Sequence, residues 1–244
     1  MNNFLKEWVS APIVIGLSIL IATIIFSVSF YSSRTTADYI SVTGSASKEV
    51  VSDKAKFSGN FSRIVKLSTL KTGYALMASD LQVVNNFLKE QKIDLASVTI
   101  STVSMEQNYD YNNNQTASEK DYTLRQNVEV VSTDIEKITS LAKSTQSLID
   151  RGIIFSVWPV QYYYTNLPQV RVDLLADAVK DAQARAKKLA ESTGKTLGSL
   201  QAAASGVVQV LPSNSLEISD YGTYDTNSVN KNIMVTVKAS FELK

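Results

Sequence analysis

Residues 55–62 read AKFSGNFS, and residues 67–88 read LSTLKTGYALMASDLQVVNNFL. In the first stretch Ala55, Phe57, Gly59 and Phe61 share one face while Lys56, Ser58, Asn60 and Ser62 share the other, the two-residue period of a strand buried on one side. In the second, Leu67, Leu70, Tyr74, Met77, Leu81, Val84 and Leu88 recur at steps of three and four, one stripe of a helix of about six turns. The change of period marks a strand followed by a helix whose apolar stripe is core or a helix-packing seam. Ser52-Asp53, just before, reads as a turn.

Working toward the C-terminus, Val98–Tyr109 and Tyr122–Val131 read as strands, the second alternating through Tyr122, Leu124, Gln126, Val128 and Val130. Between them Asn112–Lys120 is a polar loop. Thr133-Asp134-Ile135-Glu136 is a capping-box pattern that opens a helix through Ile135, Ile138, Leu141 and Ala142, ending before Gly152. Ile153–Tyr164, rich in aromatic and β-branched residues, reads as a strand that Pro159 demotes locally to an edge or bulge. Strand, helix, strand, strand, helix, strand is the order of a ferredoxin-like split βαβ unit, an antiparallel sheet with two helices on one face. The strand Tyr39–Ser45 is expected to pair with its successor as a leading hairpin. Residues 39–165 thus form a βαββαβ part.

Residues 166–244 add a long helix and C-terminal strands. The helix runs from Pro168, a good first-turn residue, to Gly194, a good residue for the position after a helix. Its Ala176, Ala178, Ala182, Ala184, Ala186 and Ala190 favour helix and allow close approach of a neighbour. Leu200–Val210 reads as a strand, and Asn232–Glu242 alternates with Ile233, Val235, Val237, Ala239 and Phe241 on one face. Leu211–Lys231 is a long polar loop, of the kind that is functional, assembly-related or disordered. The fold class is α+β.

Working toward the N-terminus, Ala11–Tyr31 reads APIVIGLSILIATIIFSVSFY and contains no Asp, Glu, Lys or Arg. About 20 apolar residues at 1.5 Å rise cross a hydrocarbon core of roughly 30 Å, so 11–31 is expected to be a single transmembrane helix with the lipid bilayer as its partner. Trp8 and Tyr31, about 34 Å apart along a helix, suit the two membrane interfaces. A cleaved signal is the rival reading, but such segments have an apolar core of only about 7–15 residues. Residues 1–10 are then a short cytoplasmic N-terminus and 32–38 a linker. The 39–244 body lies outside. Ser18 and Ala22 form a small-xxx-small pair, a spacing that often arises by chance.

Composition removes whole classes of function. Taking Lys6, Glu7 and Arg34 from totals of 24 basic and 23 acidic side chains leaves the rest balanced, without the basic excess that neutralises phosphates, and nucleic acid is not an expected partner. The absence of cysteine excludes disulfides, thiol catalysis and thiolate metal sites, and the absence of histidine removes the commonest general base and nearly all zinc sites. Gly44 and Gly198 are isolated and belong to no phosphate-cradling run. Asn60-Phe61-Ser62 and Asn114-Gln115-Thr116 match the glycosylation triplet by coincidence. No catalytic, cofactor-binding or metal residues are expected, nor is enzyme activity.

Two groups invite a binding role. Asp173, Asp177 and Asp181 stand four residues apart on the long helix and offer oxygen ligands to Ca²⁺ or Mg²⁺. Asp177 with Lys180 and Asp181 with Arg185 also have ordinary helical ion-pair spacing, and the group reads as a solvated face. Trp158, Tyr162, Tyr163 and Tyr164 offer aromatic faces for a sugar or other ligand. The favoured reading has them fill the core on one face and a subunit interface on the other.

The strand Ile40-Ser41-Val42-Thr43-Gly44, the turn Val51-Ser52-Asp53-Lys54-Ala55, the helix carrying Ala178, Ala182, Ala186, Leu189, Ala190 and Gly194 followed by Leu197-Gly198, and the closing Val235-x-Val237-x-Ala239-x-Phe241 together resemble the SIMPL-domain family over about Tyr39–Leu243. The resemblance implies a bacterial envelope protein. Members include an oxidative-stress defence protein and a periplasmic immunogenic protein that forms a ring-like homo-oligomer. It supplies no catalytic residues. The expectation is a single-pass inner-membrane protein with a periplasmic body that self-assembles into a ring or cage, with no small-molecule partner identified. The alternative is a ligand-binding or stress-sensing module that uses the aromatic strand 153–164.

Overall fold

The computed structural model describes residues 2–34, 38–108, 120–215 and 219–244, with side chains described from 14 to 30 in the first range and throughout the others. In chain order the elements are α1 (Asn2–Arg34), β1 (Tyr39–Val51), β2 (Lys54–Lys66), α2 (Leu70–Glu90), β3 (Val98–Ile100), β4 (Ser104–Gln107), β5 (Asp121–Ser132), α3 (Ile135–Ser144), α4 (Gln146–Asp150), β6 (Phe155–Val157), β7 (Gln161–Tyr163), α5 (Leu167–Ser192), β8 (Leu197–Pro212), β9 (Thr223–Tyr224) and β10 (Asn230–Leu243). The class is α+β. Two compact units interleave along the chain: residues 1–44, 182–204 and 238–244 form one, residues 45–181 and 205–237 the other.

The larger unit is built on a sheet of order β3-β5-β2-β6, with β4 also on β5 and β7 also on β2. Every neighbouring pair is antiparallel, and the β2–β5 ladder runs from Ala55 opposite Ser132 to Lys66 opposite Asp121. With α2 between β2 and β3, and α3 between β5 and β6, this is the strand order of a split βαβ unit. The period-two reading of 55–62 sets its core: Ala55, Phe57 and Phe61 are buried with Leu124, Val128 and Val130 of β5, Met77, Val84, Phe87 and Leu88 of α2, and Ile138 and Leu141 of α3. Burial of each Phe or Leu contributes about 1.5–3 kcal/mol.

Several details differ from the sequence reading, each for a local reason. On α2 the buried face at the start carries Gly73 rather than Tyr74, because a β-carbon at Gly73 would come within 2.6 Å of Val65 Cγ1. The helix approaches the sheet there as closely as a missing side chain permits. Asp80 sits buried on the same stripe, where both its oxygens accept hydrogen bonds from the Arg63 guanidinium, the Nη2–Oδ1 contact being 2.7 Å. The residue that caps α3 is Asp134, whose Oδ1 accepts from the Lys137 N–H at 2.9 Å.

The strand expected over Val98–Tyr109 is broken into β3 and β4. The Ser101 hydroxyl accepts the Asn127 N–H at 2.9 Å, and the register against β5 shifts by one residue across the break. Tyr109, and Asn112 to Glu119 of the polar loop with its Asn114–Thr116 triplet, lie outside the described residues, as do parts of the 32–38 linker and of the 211–231 loop.

The leading hairpin is not formed. β1 neighbours β10 in a separate sheet of order β1-β10-β8-β9. The chain changes partner at the Ser52-Asp53 turn, where the Ser52 N–H donates to Val229 O and the Asp53 N–H to Tyr163 O, each at 2.9 Å. In the larger unit Val170 and Leu174 of α5 pack with Ile233 and Val235 of β10 and with Val210 of β8.

In the smaller unit Ala182 and Ala186 of α5 pack with Ala239 and Phe241 of β10, Ile40 and Val42 of β1, and Leu197 of β8. The Leu243 N–H donates to Asp38 O at 2.8 Å, and Thr196 and Lys244 exchange backbone hydrogen bonds of 2.7 and 2.8 Å. The helix expected at 11–31 is present within α1, and its described residues, 14 to 30, are all exposed. Among the described residues no helix is long and apolar enough to cross a membrane.

Candidate functional site

The aromatic segment 153–164 lies along β2 as two short strands. β6 sets Phe155 opposite Phe61 and Val157 opposite Gly59, whereas β7 sets Gln161 opposite Lys56 and Tyr162 opposite Ala55. The register therefore slips by one residue between them, a bulge at the place where Pro159 offers no N–H to the ladder. The bulge has a packing consequence. Phe155 and Tyr162 are an odd number of residues apart, so uninterrupted alternation would send them to opposite faces, yet both are buried in the same core. Phe155 lies over Gly59, where a β-carbon would come within 2.5 Å of its ring, and stacks on Phe57 with centroids 6.2 Å apart.

The structure separates the four residues singled out from the sequence. Tyr162 is 9% exposed, its hydroxyl 3.0 Å from that of Thr139, and belongs to the core. Tyr163 donates its hydroxyl to Gln161 Oε1 at 3.0 Å and tilts against Tyr224, centroids 6.3 Å apart. Tyr164 packs against the cluster of Val170 and Ile233, and its N–H donates to the Tyr224 hydroxyl at 3.2 Å. Trp158 alone is free on the surface, 46% exposed, with its backbone N–H fixed on Ser58 O at 3.0 Å. It lines an open cleft of about 420 Å³ with Ser58, Glu129, Pro159, Gln161 and Asn227. Glu129 is paired with Lys56 at 2.9 Å. One flat indole beside a carboxylate, two amides and a hydroxyl is suited to stacking and hydrogen bonding on a polar ring-shaped ligand.

The three aspartates on α5 are not gathered into a site. Asp173 accepts from Gln169 Nε2 at 3.0 Å, Asp177 pairs with Lys180 at 2.9 Å, and Asp181 Oδ2 accepts the Ser45 N–H at 2.8 Å. Among the described residues no cluster of acidic side chains is placed to hold a metal ion.

A charged group the sequence reading passed over sits at the start of β10. Lys231 has none of its surface exposed. Its Nζ donates to Asp225 O at 2.6 Å and Ser228 O at 2.7 Å, with Asp225 Oδ2 at 3.5 Å. Asp225 in turn accepts the Asn227 N–H at 2.8 Å, the Ser228 N–H at 3.1 Å and the Ser228 hydroxyl. Burial pushes the Lys231 ammonium below its ordinary value, and the Asp225 charge pulls it back only in part. At Asp225 burial acts to raise the carboxyl, but the Ser228 and Asn227 hydrogen bonds and the Lys231 charge outweigh it and hold the group below the usual carboxylate range. The ammonium organises the 225–228 turn beside Asn227, one wall of the Trp158 cleft. The signal was available: extending the alternation Phe241, Ala239, Val237, Val235, Ile233 back by two lands on Lys231.

A family model for the SIMPL domain, described as a protein of unknown function (DUF541), matches residues 40–241. A search among curated proteins finds no match to the chain.

Proposed function

We infer function from the premise that the chain belongs to the SIMPL family, a bacterial envelope-type family, and propose a membrane-anchored, non-enzymatic protein of the inner membrane that self-assembles into a ring or cage. Its N-terminus is cytoplasmic and its 39–244 body periplasmic. The observation that carries the anchoring is α1: the described residues from Val14 to Phe30 are exposed without interruption and include no ionisable side chain. A continuous apolar surface of this kind requires a cover, and with the flanking residues of 11–31 the sequence is long enough for the cover to be a bilayer. Self-assembly is supported by the resemblance to ring-forming envelope members, and the non-enzymatic reading by the absence of histidine and cysteine chemistry in the chain. The test is fractionation followed by mass measurement of the detergent-extracted protein. Retention in the membrane after an alkaline carbonate wash, and a particle of many subunits, are expected; release by carbonate overturns the anchor, and a monomer at working concentration overturns the assembly.

The Trp158 cleft favours a second reading, a periplasmic ligand-binding or stress-sensing module. A ligand that binds only the folded state raises the melting temperature. A saccharide or other polar ring compound that does so for the wild-type protein and not for Trp158→Ala supports this reading, whereas equal shifts in both proteins count against it.

A further inference from the structure

The outer edge of β8 is largely unpaired among the described residues. On one side β8 pairs with β10; on the other, among the described residues, its only strand partner is the two-residue β9, at Gln209 and Val210, with Ser219 and Gly222 also against it at Gln209 and at Val207–Val208. Upstream of that contact, Ser199 to Ser205 are all exposed, including Leu200 at 46%. A strand covered on one face buries every second residue. Seven exposed residues in a row mean that here both faces and one edge are open.

Natural edges of this length carry charges, proline or bulges that discourage pairing. Leu197 to Leu211 reads LGSLQAAASGVVQVL, with no Asp, Glu, Lys, Arg or Pro. β1, on the far side of the same sheet, carries exposed Lys48 and Glu49. The two edges are therefore not equivalent, and only β1 has conventional protection.

We propose that β8 of one subunit pairs antiparallel with β8 of a second copy through 199–205, an inference that rests on the self-assembly reading and names one of the contacts within the assembly, since a two-fold contact joins copies in pairs. An identical partner is singled out by charge. A charged edge meeting its own copy sets like charges opposite one another, which is unfavourable, whereas 199–205 itself carries no charged side chain, the neighbouring Glu242 carboxylate of β10 is engaged by the Ser199 hydroxyl at 3.2 Å, and the small Ser and Ala side chains let two backbones approach. A two-fold pairing is also self-complementary, each residue i meeting j while j meets i. The strip is short: about seven residues at roughly 3.3 Å each bury a few hundred Å², below the ~1,200 Å² of interfaces that are stable alone. The contact therefore depends on anchors that hold many copies on one membrane face at high effective concentration.

The chain has no cysteine, so single-cysteine variants report without background. Ser199→Cys, Leu200→Cys, Gln201→Cys, Ala202→Cys and Ala203→Cys are made in the full chain in bilayers, with Lys48→Cys on β1 as the comparison, and oxidised mildly. Antiparallel pairing of identical strands brings one position opposite its own copy, within the 4.4–6.8 Å between α-carbons that a disulfide spans. The expected result is a maximum at one or two β8 positions, at least five-fold above Lys48→Cys and reduced at least five-fold when Ala204→Lys is added, with the melting temperature unchanged. A flat profile at the Lys48→Cys level in a particle that is still oligomeric overturns the β8 contact and leaves self-assembly standing. A monomeric particle overturns both.

Discussion

Lys231 shows how one side chain can be set against its own solvation by the strand that carries it. Its position in the alternation of β10 sends it inward, and two carbonyls and a carboxylate receive the ammonium. Replacing it with methionine leaves the Asp225 carboxylate buried without its counter-charge. Lys231→Met is expected to lower stability in urea unfolding by about 3–5 kcal/mol, the usual cost of breaking a buried pair from one side, and adding Asp225→Asn is expected to restore part of that loss. The pH dependence follows from the same pair. Asp225 is depressed in the folded protein, so its contribution is complete above the ordinary carboxylate value of about 3.9 and is lost as pH falls through the lower folded value. Lys231 is also depressed; the cost of keeping it charged and buried grows as pH falls from about 10.4 toward its folded value, and stability rises with pH through that window. Faster hydrogen exchange of the Asn227 and Ser228 amides at acid pH, after correction for intrinsic rates, is the expected readout.

At the scale of the element, α5 carries a buried ridge of Val170, Leu174, Ala178, Ala182, Ala186 and Ala190, each four residues from the next. Val170 and Leu174 pack in one unit with Ile233 and Val235, and Ala182 and Ala186 pack in the other where β10 supplies Phe241. Ala186→Leu is expected to destabilise by about 1–3 kcal/mol through overpacking. Leu189→Ala, at a position 49% exposed, is expected to change stability by less than about 0.5 kcal/mol; thermal melts of the two variants make the comparison. The alanine content was legible in the sequence as helix and as close approach. Which alanines face inward was not, because composition carries no direction until a partner such as Phe241 is in place.

At the scale of the whole molecule, the described side chains of α1 are exposed, and among the described residues the buried clusters draw none from it. Removing residues 1–34 is therefore expected to leave the melting temperature of the body within about 2 °C, since surface changes away from packing are worth only about 0.5 kcal/mol, while shifting the protein from the membrane to the soluble fraction. Periodicity and composition in the sequence determined the α+β class, the order of the split βαβ unit, the β10 alternation, an interruption of the strand at Pro159 and the uncharged run 11–31, since each of these is a local repeat or a local break. Tertiary structure alone decided that β1 leaves its sequence neighbour for β10, that Gly73 displaces Tyr74 from the helix face, that Trp158, Tyr162, Tyr163 and Tyr164 go to different surroundings, and that the carbonyls of Asp225 and Ser228 receive the Lys231 ammonium. Each of these depends on what a residue meets across the fold, and a side chain's partner is set by chain segments far from it in sequence. The segment 55–62 shows both sides: its alternation fixes which residues enter the core, but only the packed sheet shows Phe155 lying where a side chain on Gly59 would be.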